Sequence, residues 1–395
     1  MPPEPQLAPG DWLSALPNGP LHTVLSFLPA PQAVRTCVLS RRWKDLWCTA
    51  PCINIDMMGG DFMRKWTKFE YFTTNLLLFR RGTLSLDKFR LCCSLTSQQC
   101  LRDVDRWVRL GIKYCPLVLE VILMGRIRIG PDSPFPHLGE SSRLKRLHLE
   151  AVYLDRCFAE QIQSSCTVLE ELELYTCVHK FQEISSRTLK TLIMETSEND
   201  SGQRFVITAP SLVYLQISVT NTSYSDGISR SLLHDLWNVS DLKLRGFQTK
   251  AMIDDELDIL PIFYKMQTLL LVQCFYDKCD LHEKLDALGS FLEHAPCLKR
   301  LTLQCYMSQD LFMMGGHIVR KSITLPNKCR KTFECQNLKF VEVIYEAAGH
   351  GGDEEDMFDA IVAMMTPQEL EAKKEEEEAA MRAVAGSQGG SLVTK

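Results

Sequence analysis

Apolar residues recur along this chain in two rhythms. Between residues 18 and 51 the spacing is helical: Leu21, Val24, Leu25 and Leu28 stand at i, i+3, i+4 and i+7, on one stripe of a helix. Asn18 is placed to cap that helix, and Pro20 is tolerated in its first turn because the N–H groups there have no intrahelical partner. Pro29 and Pro31 end it. A second helix is expected from about Gln32 to Leu39. A third follows Ser40, with Trp43, Leu46 and Trp47 on one side and Pro51 as its stop. Three helices in about forty residues bury little surface by themselves, so the unit must lean on a partner or on the rest of the chain.

Further along, the rhythm becomes that of short strands. The pattern L-x-x-L-x-L recurs as "LKRLHL" at Leu144, "LEELEL" at Leu169, "LKTLIM" at Leu189, "LVYLQI" at Leu212 and "LKRLTL" at Leu298. Looser copies start at Leu86, Val118, Val239, Met266 and Leu338. Starts in the central stretch lie 20 to 27 residues apart, the period of leucine-rich repeats. No copy can bury its own leucines, so each must cover the one before it. The expected fold class is therefore α/β, with a curved repeat solenoid whose strands form a stacked parallel sheet. Cys177 and Cys274 stand three residues past the last leucine of their copies, where such repeats call for Asn or Cys. Cys115-Pro116, Ala209-Pro210 and Ala295-Pro296 bias the chain toward extended structure before a strand. Alternation along the strands puts polar side chains on the open sheet face, which solenoids use for binding. His148, Glu173, Tyr214 and Gln216 are the candidates there for holding a target protein.

The helical segment, residues 11–56, resembles an F-box. It is most similar to the version that opens plant F-box proteins carrying leucine-rich repeats. The matching residues are Leu16-Pro17, Leu21, Val24-Leu25, Phe27-Leu28-Pro29, Leu39-Ser40-Arg41-Arg42-Trp43 and Leu46. Asn18-Gly19-Pro20 departs from the Asp-Asp-Leu usual in the family. The resemblance implies docking on a Skp-family linker and, through it, on a cullin in a ubiquitin ligase. It implies linker contacts from Leu16, Pro17, Leu21, Val24, Leu25, Leu28, Leu39, Arg41, Trp43 and Leu46. The repeats resemble those of the same family over about residues 80 to 345, and "LKFVEVI" resembles the start of its C-terminal FBD module. The expected organisation is a disordered tail at 1–10, an F-box at 11–56, a repeat array at 57–345 and an acidic helix or disordered tail at 346–395. The expected role is substrate-recognition subunit of a Skp–cullin–F-box ligase, without catalysis of its own. The alternative is a leucine-rich-repeat scaffold whose box is degenerate.

Charge separates the remaining readings. The chain carries a net −5. From Glu346 onward there are 12 acidic against 4 basic residues, so the preceding part is close to +3. No large basic field exists to reward a phosphate backbone, and Arg41-Arg42 alone does not point to nucleic acid. No stretch approaches the roughly 18 apolar residues of a membrane span. The proline-rich N-terminus lacks the layout of a signal peptide, so the expected location is cytoplasmic or nuclear and the 16 cysteines are expected as thiols. No GxxxxGK[ST], HExxH or GxSxG is present, so neither a cofactor nor catalysis is expected. Cys274, Cys279 and His282 form only part of a zinc set, and Cys274 already has a place in the repeat, so no metal is expected.

Overall fold

The structure is a computed structural model. It describes residues 16–40, 42–58, 65–80, 85–125, 129–139, 141–195, 198–199, 205–218, 237–246, 262–274, 281–304, 317–324 and 337–347. The chain divides into two compact units, residues 1–236 and 237–395.

The first unit opens with helices α1 (Asn18–Ser26), α2 (Ala30–Arg35) and α3 (Trp43–Leu46), with 3-10 turns at Thr36–Val38 and Trp47–Thr49. The caps differ from those expected. Pro17 occupies the N-cap of α1 and no side chain closes that end; Asn18 is already helical. Its Oδ1 instead accepts a 2.8 Å hydrogen bond from Arg42 Nη2, which ties the start of α1 to the start of α3. The second helix begins two residues earlier than expected, because Pro29 caps it and Pro31 fits its first turn. It tightens into a 3-10 turn after Arg35 rather than running to Leu39. Ser40 accepts the backbone N–H of Trp43 at 3.1 Å instead of capping with its side chain.

Strand β1 (Cys52–Asp56) follows directly and pairs in parallel with β2 (Lys88–Leu95), so the last residues of the 11–56 segment already belong to the sheet. The sheet continues, each pairing parallel, through β3 (Val118–Gly125), β4 (Arg146–Glu150), β6 (Glu171–Tyr175), β9 (Thr191–Glu195) and β12 (Tyr214–Ser218). The motif leucines explain the register. Leu147 sits opposite Leu119 and Leu172, and Leu149 opposite Val121 and Leu174, all at 0 or 1 % exposure. That register moves one expected copy. Val118, itself half-buried, pairs with exposed Arg146, so this repeat starts at buried Pro116, two residues before the apolar run suggested.

Helices α4 (Trp66–Phe79), α5 (Gln98–Lys113) and α6 (Arg156–Ser164) return the chain between strands. Helices α4 and α5 lock through Phe69 and Trp107, whose rings meet edge to face at 5.6 Å, and Trp107 Nε1 donates to Thr74 Oγ1 at 3.1 Å. Gly111 is where α5 passes over the Phe89 ring so closely that a Cβ would lie 2.7 Å from it. Short strands also lie in the returns, with or without a helix. Here β5 (Tyr153–Leu154), β7 (Val178–His179) and β10 (Glu198–Asn199) form one small parallel sheet, and β8 (Glu183–Ser185) and β11 (Val206–Thr208) another.

The repeat also recurs in its turns. Ala151 and Thr176 each follow a strand directly, with φ of 55° and 50°. Each sends its N–H to the last carbonyl of the next strand at 2.9 Å, Ala151 to Tyr175 and Thr176 to Glu195. Cys177 then turns inward and donates its thiol to the carbonyls of Leu149 at 3.5 Å and Tyr175 at 3.3 Å. A small buried donor is what this corner requires, which gives the Asn-or-Cys position its physical reason.

The second unit repeats the device. Strands β13 (Asp241–Arg245), β14 (Thr268–Val272), β15 (Arg300–Gln304) and β17 (Phe340–Ala347) are parallel neighbours in that order, and β16 (His317–Thr324) adds antiparallel to β17. Gly246 and Gln273 take the left-handed turn after their strands, and Cys274 donates to Leu244 and Val272 as Cys177 does to its pair. Helix α7 (Leu281–Glu293) precedes β15 and stacks Phe291 on Phe263 at 5.7 Å. Strand β17 runs two residues past the expected end of the array at 345. The 1–10 tail and the acidic segment from residue 348 lie outside the described residues.

Candidate functional site

The box sorts its apolar residues into two sets. Leu21, Leu25, Trp43 and Leu46 are 0, 1, 3 and 5 % exposed and form its interior with Ala50, while Leu28 packs against them half-buried. Four of the residues expected to touch a linker therefore build the box rather than face outward. The outward set is Leu16, Pro17, Val24 and Leu39, together with two residues the helical spacing missed, Phe27 at 79 % and Val38 at 82 % exposure. Phe27 sits on the C-cap of α1 and Val38 in a 3-10 turn, where a 3.6-residue period no longer sets direction. Arg41 lies outside the described residues. The departure at Asn18-Gly19-Pro20 is accommodated: Asn18 holds Arg42, a Cβ on Gly19 would meet nothing within 4 Å, and Pro20 needs no N–H partner so early in a helix.

The second candidate surface is the polar face of the first unit's sheet. Register aligns Asn54, Arg90, Glu120, His148, Glu173, Ile193 and Gln216 in one row across seven strands. On the β1–β3 side the charges close on themselves. Arg90 reaches Asp56 at 3.1 Å and Glu120 at 3.4 Å, and Lys88 reaches Glu120 at 2.6 Å. The four target-face candidates form two separate pairs. His148 Nδ1 lies 2.7 Å from Glu173 Oε2, and this hydrogen bond holds the Glu173 carboxyl below the usual range. Tyr214 donates its hydroxyl to Gln216 Oε1 at 2.9 Å, and Gln216 Nε2 donates to Glu195 Oε2 at 2.6 Å. Gln216 is buried, and its amide is turned to Glu195. Sequence reasoning missed Tyr175, whose ring lies 5.1 Å from that of His148. Burial, and then the carboxylates of Glu173, Glu195 and Glu150, push its hydroxyl up to about 12. Alternation alone marks Tyr175 as outward; only the register reveals what surrounds it.

Other chemistry finds no support among the described residues. No group of three or more His, Cys, Asp or Glu could hold a metal ion there. Cys274 is spent on backbone carbonyls, His282 Nδ1 pairs with Asp286 at 2.9 Å, and Cys279 lies outside the described residues. Burial pushes the Cys166 thiol up to about 11 and that of Cys177 up to about 12, so both are protonated packing groups. No described helix is long and apolar enough to cross a membrane.

Comparison with known proteins agrees with this geometry. The F-box domain model matches residues 13–53, the segment that contains all three box helices. The meiotic F-box protein MOF of Oryza sativa subsp. japonica is 27 % identical over 391 residues, covering 84 % of this chain and 80 % of its own. An F-box/FBD/LRR-repeat protein of Arabidopsis thaliana is 26 % identical, covering 86 and 85 %. An F-box/LRR-repeat protein of the same plant is 31 % identical over 254 residues, covering 55 % of this chain and 46 % of its own. The chain thus carries an F-box at its N-terminus, and across most of its length its homologues are plant F-box/FBD/LRR-repeat proteins.

Proposed function

We propose that the protein is a substrate-recognition subunit of a Skp–cullin–F-box ubiquitin ligase, the general role of F-box proteins. The observation that carries the reading is the outward apolar set on the box, Leu16, Pro17, Val24, Phe27, Val38 and Leu39, displayed over a closed interior of Leu21, Leu25, Trp43 and Leu46. An isolated box has no reason to leave Phe27 and Val38 in water. Fully burying such a side chain is worth roughly 1.5–3 kcal/mol, which a linker surface would supply. The parallel strands, recurrent left-handed turns and inward cysteines support leucine-rich repeats in each of the two units. The polar face of the first unit's sheet holds the target, and the ligase chemistry belongs to other subunits. The adaptor works by raising the effective concentration of a target lysine beside the charged ubiquitin carrier. Its place of work is the cytoplasm or the nucleus.

Affinity purification of the full chain from plant cells tests the assignment. Recovery of a Skp-family linker and a cullin is expected, and both should be lost with Phe27→Asp. Recovery of a stable partner with neither linker nor cullin would favour the scaffold reading instead.

A further inference from the structure

The return from β3 to β4 is built differently from its neighbours. Helix α5 lies in the return before it, where Gly111 passes over the Phe89 ring of β2, and α6 lies in the return after it. Between β3 and β4 there is no helix among the described residues. Residues 129–139 are fastened toward α6 instead. Phe135 donates its N–H to the Tyr153 carbonyl at 2.8 Å and meets the Phe158 ring of α6 edge to face at 6.3 Å. Leu138 donates its N–H to Gln161 Oε1 of the same helix at 2.6 Å.

Drawn to that side, the segment leaves a slot of about 330 Å³ between itself and α5. Val121 and Leu123 of β3 and Val152 form the floor, Val104 and Val108 of α5 one wall, and Pro134 and Phe135 the other. Val121 and Leu123 alternate with Glu120 along β3, so the slot opens on the side of the sheet away from the polar row. Its volume stands at the lower end of the roughly 300–1,000 Å³ of small-molecule sites, which join an apolar lining to a few placed polar groups.

Those polar groups are on the rim. Arg102 of α5 and Asp132 of the facing segment both line the slot and are both exposed. Neither makes a side-chain hydrogen bond or ion pair among the described residues. The second guanidinium on the rim, Arg109, is already closed by Asp105 at 2.8 Å. The slot thus offers an apolar interior, one unpaired cation on one wall and one unpaired anion on the other. An apolar acid would answer Arg102 and face Asp132 with a like charge, and an apolar amine would do the reverse. A molecule with an apolar body, a carboxylate and an ammonium group answers all three features, each charge gaining a charge-assisted hydrogen bond.

We propose that the slot binds a free apolar α-amino acid, with its side chain between α5 and residues 129–136, its carboxylate on Arg102 and its ammonium on Asp132. This site is separate from the polar sheet face and from the box, and does not depend on the adaptor reading.

Calorimetric titration of the full chain with free leucine, phenylalanine and tryptophan tests it. Each amino acid is run beside the amine that lacks its carboxylate and the acid that lacks its ammonium. At least one amino acid should bind, at least about tenfold tighter than both of its analogues. Arg102→Gln should weaken that amino acid about tenfold without weakening its amine analogue, and Asp132→Asn should weaken it about tenfold without weakening its acid analogue. Both side chains are exposed, so the variants should unfold at the wild-type midpoint. Arg106→Gln, on the same helix but turned to Glu70 and Thr74, should bind as the wild type does. No binding of any of these amino acids at millimolar concentration overturns the proposal. So does binding that both rim variants leave unchanged, or an equal loss with Arg106→Gln, since either would place the ligand elsewhere.

Discussion

His179 should make the first unit acid-sensitive by an amount that can be worked out beforehand. It lies on β7 at 3 % exposure, stacked on Phe181 at 4.5 Å and tilted against Phe205 at 5.4 Å. Its Nδ1 lies 3.2 Å from the Phe181 carbonyl, which can only accept, so the neutral ring carries its proton on Nδ1. Burial lowers its pKa from 6.5 to about 4, with the Phe181 hydrogen bond opposing in part. The folded state therefore resists protonation while the unfolded chain takes it up. Stability is complete above pH 6.5, falls as the pH drops toward 4, and is lost at about 1.4 kcal/mol per pH unit within that window. Between pH 7 and pH 5 the loss from this one residue comes to about 2 kcal/mol. His179→Phe removes the titrating group, at the cost of one hydrogen bond to the Phe181 carbonyl. The variant can be less stable at pH 7, so the comparison is one of pH slopes. Urea unfolding at pH 7, 6 and 5 should show the wild type losing about 2 kcal/mol more than the variant over that range. Parallel slopes for the two proteins would refute the burial argument.

Three further substitutions probe the same framework through unfolding midpoints. Gly19→Ala should stabilise the box by about 0.4–1 kcal/mol, because the added Cβ meets open space and the unfolded chain loses freedom. Gly111→Ala, also in a helix, should have the opposite sign. Its Cβ would strike the fully buried Phe89 ring at 2.7 Å, and an overpacking cost of about 1–3 kcal/mol exceeds the helix-propensity gain of about 1. Thr176→Asn should raise the midpoint, because a β-branched residue at φ 50° is strained while asparagine tolerates that region, and a fall would mean the Thr176 side chain contributes more than its turn.

How much of this was legible in the sequence differs from element to element. Nine of the ten L-x-x-L-x-L starts coincide with buried positions just ahead of a strand, since burying the first, fourth and sixth residues is the physical meaning of the motif. Val118 misled because the run "LVLEVIL", apolar except at Glu120, offers two phases, and only pairing with Arg146 and Leu147 chooses between them. The small sheets β5–β7–β10 and β8–β11 were invisible, because strands of two or three residues carry no periodicity. In the box, helical spacing located the stripe but could not say which of its members face inward. That depends on how α1 and α3 meet, and the spacing by itself did not mark Phe27 and Val38 as outward. On the sheet face, alternation marked His148 and Gln216 as outward but not their contacts with Glu173, Tyr175 and Glu195, because neighbours across strands are fixed by register.

The outward apolar face of the box remains the feature on which the account turns. A calorimetric titration of the full chain with a purified Skp-family linker tests it most directly, comparing wild type with a Phe27→Ser, Val38→Ser double variant. Both side chains are more than three-quarters exposed, so the double variant should unfold at the same midpoint as the wild type. The account predicts tight binding by the wild type and a loss of about 2–4 kcal/mol in the variant. Unchanged affinity in the double variant would show that the linker, if it binds, uses another surface, and the docking assignment would fall.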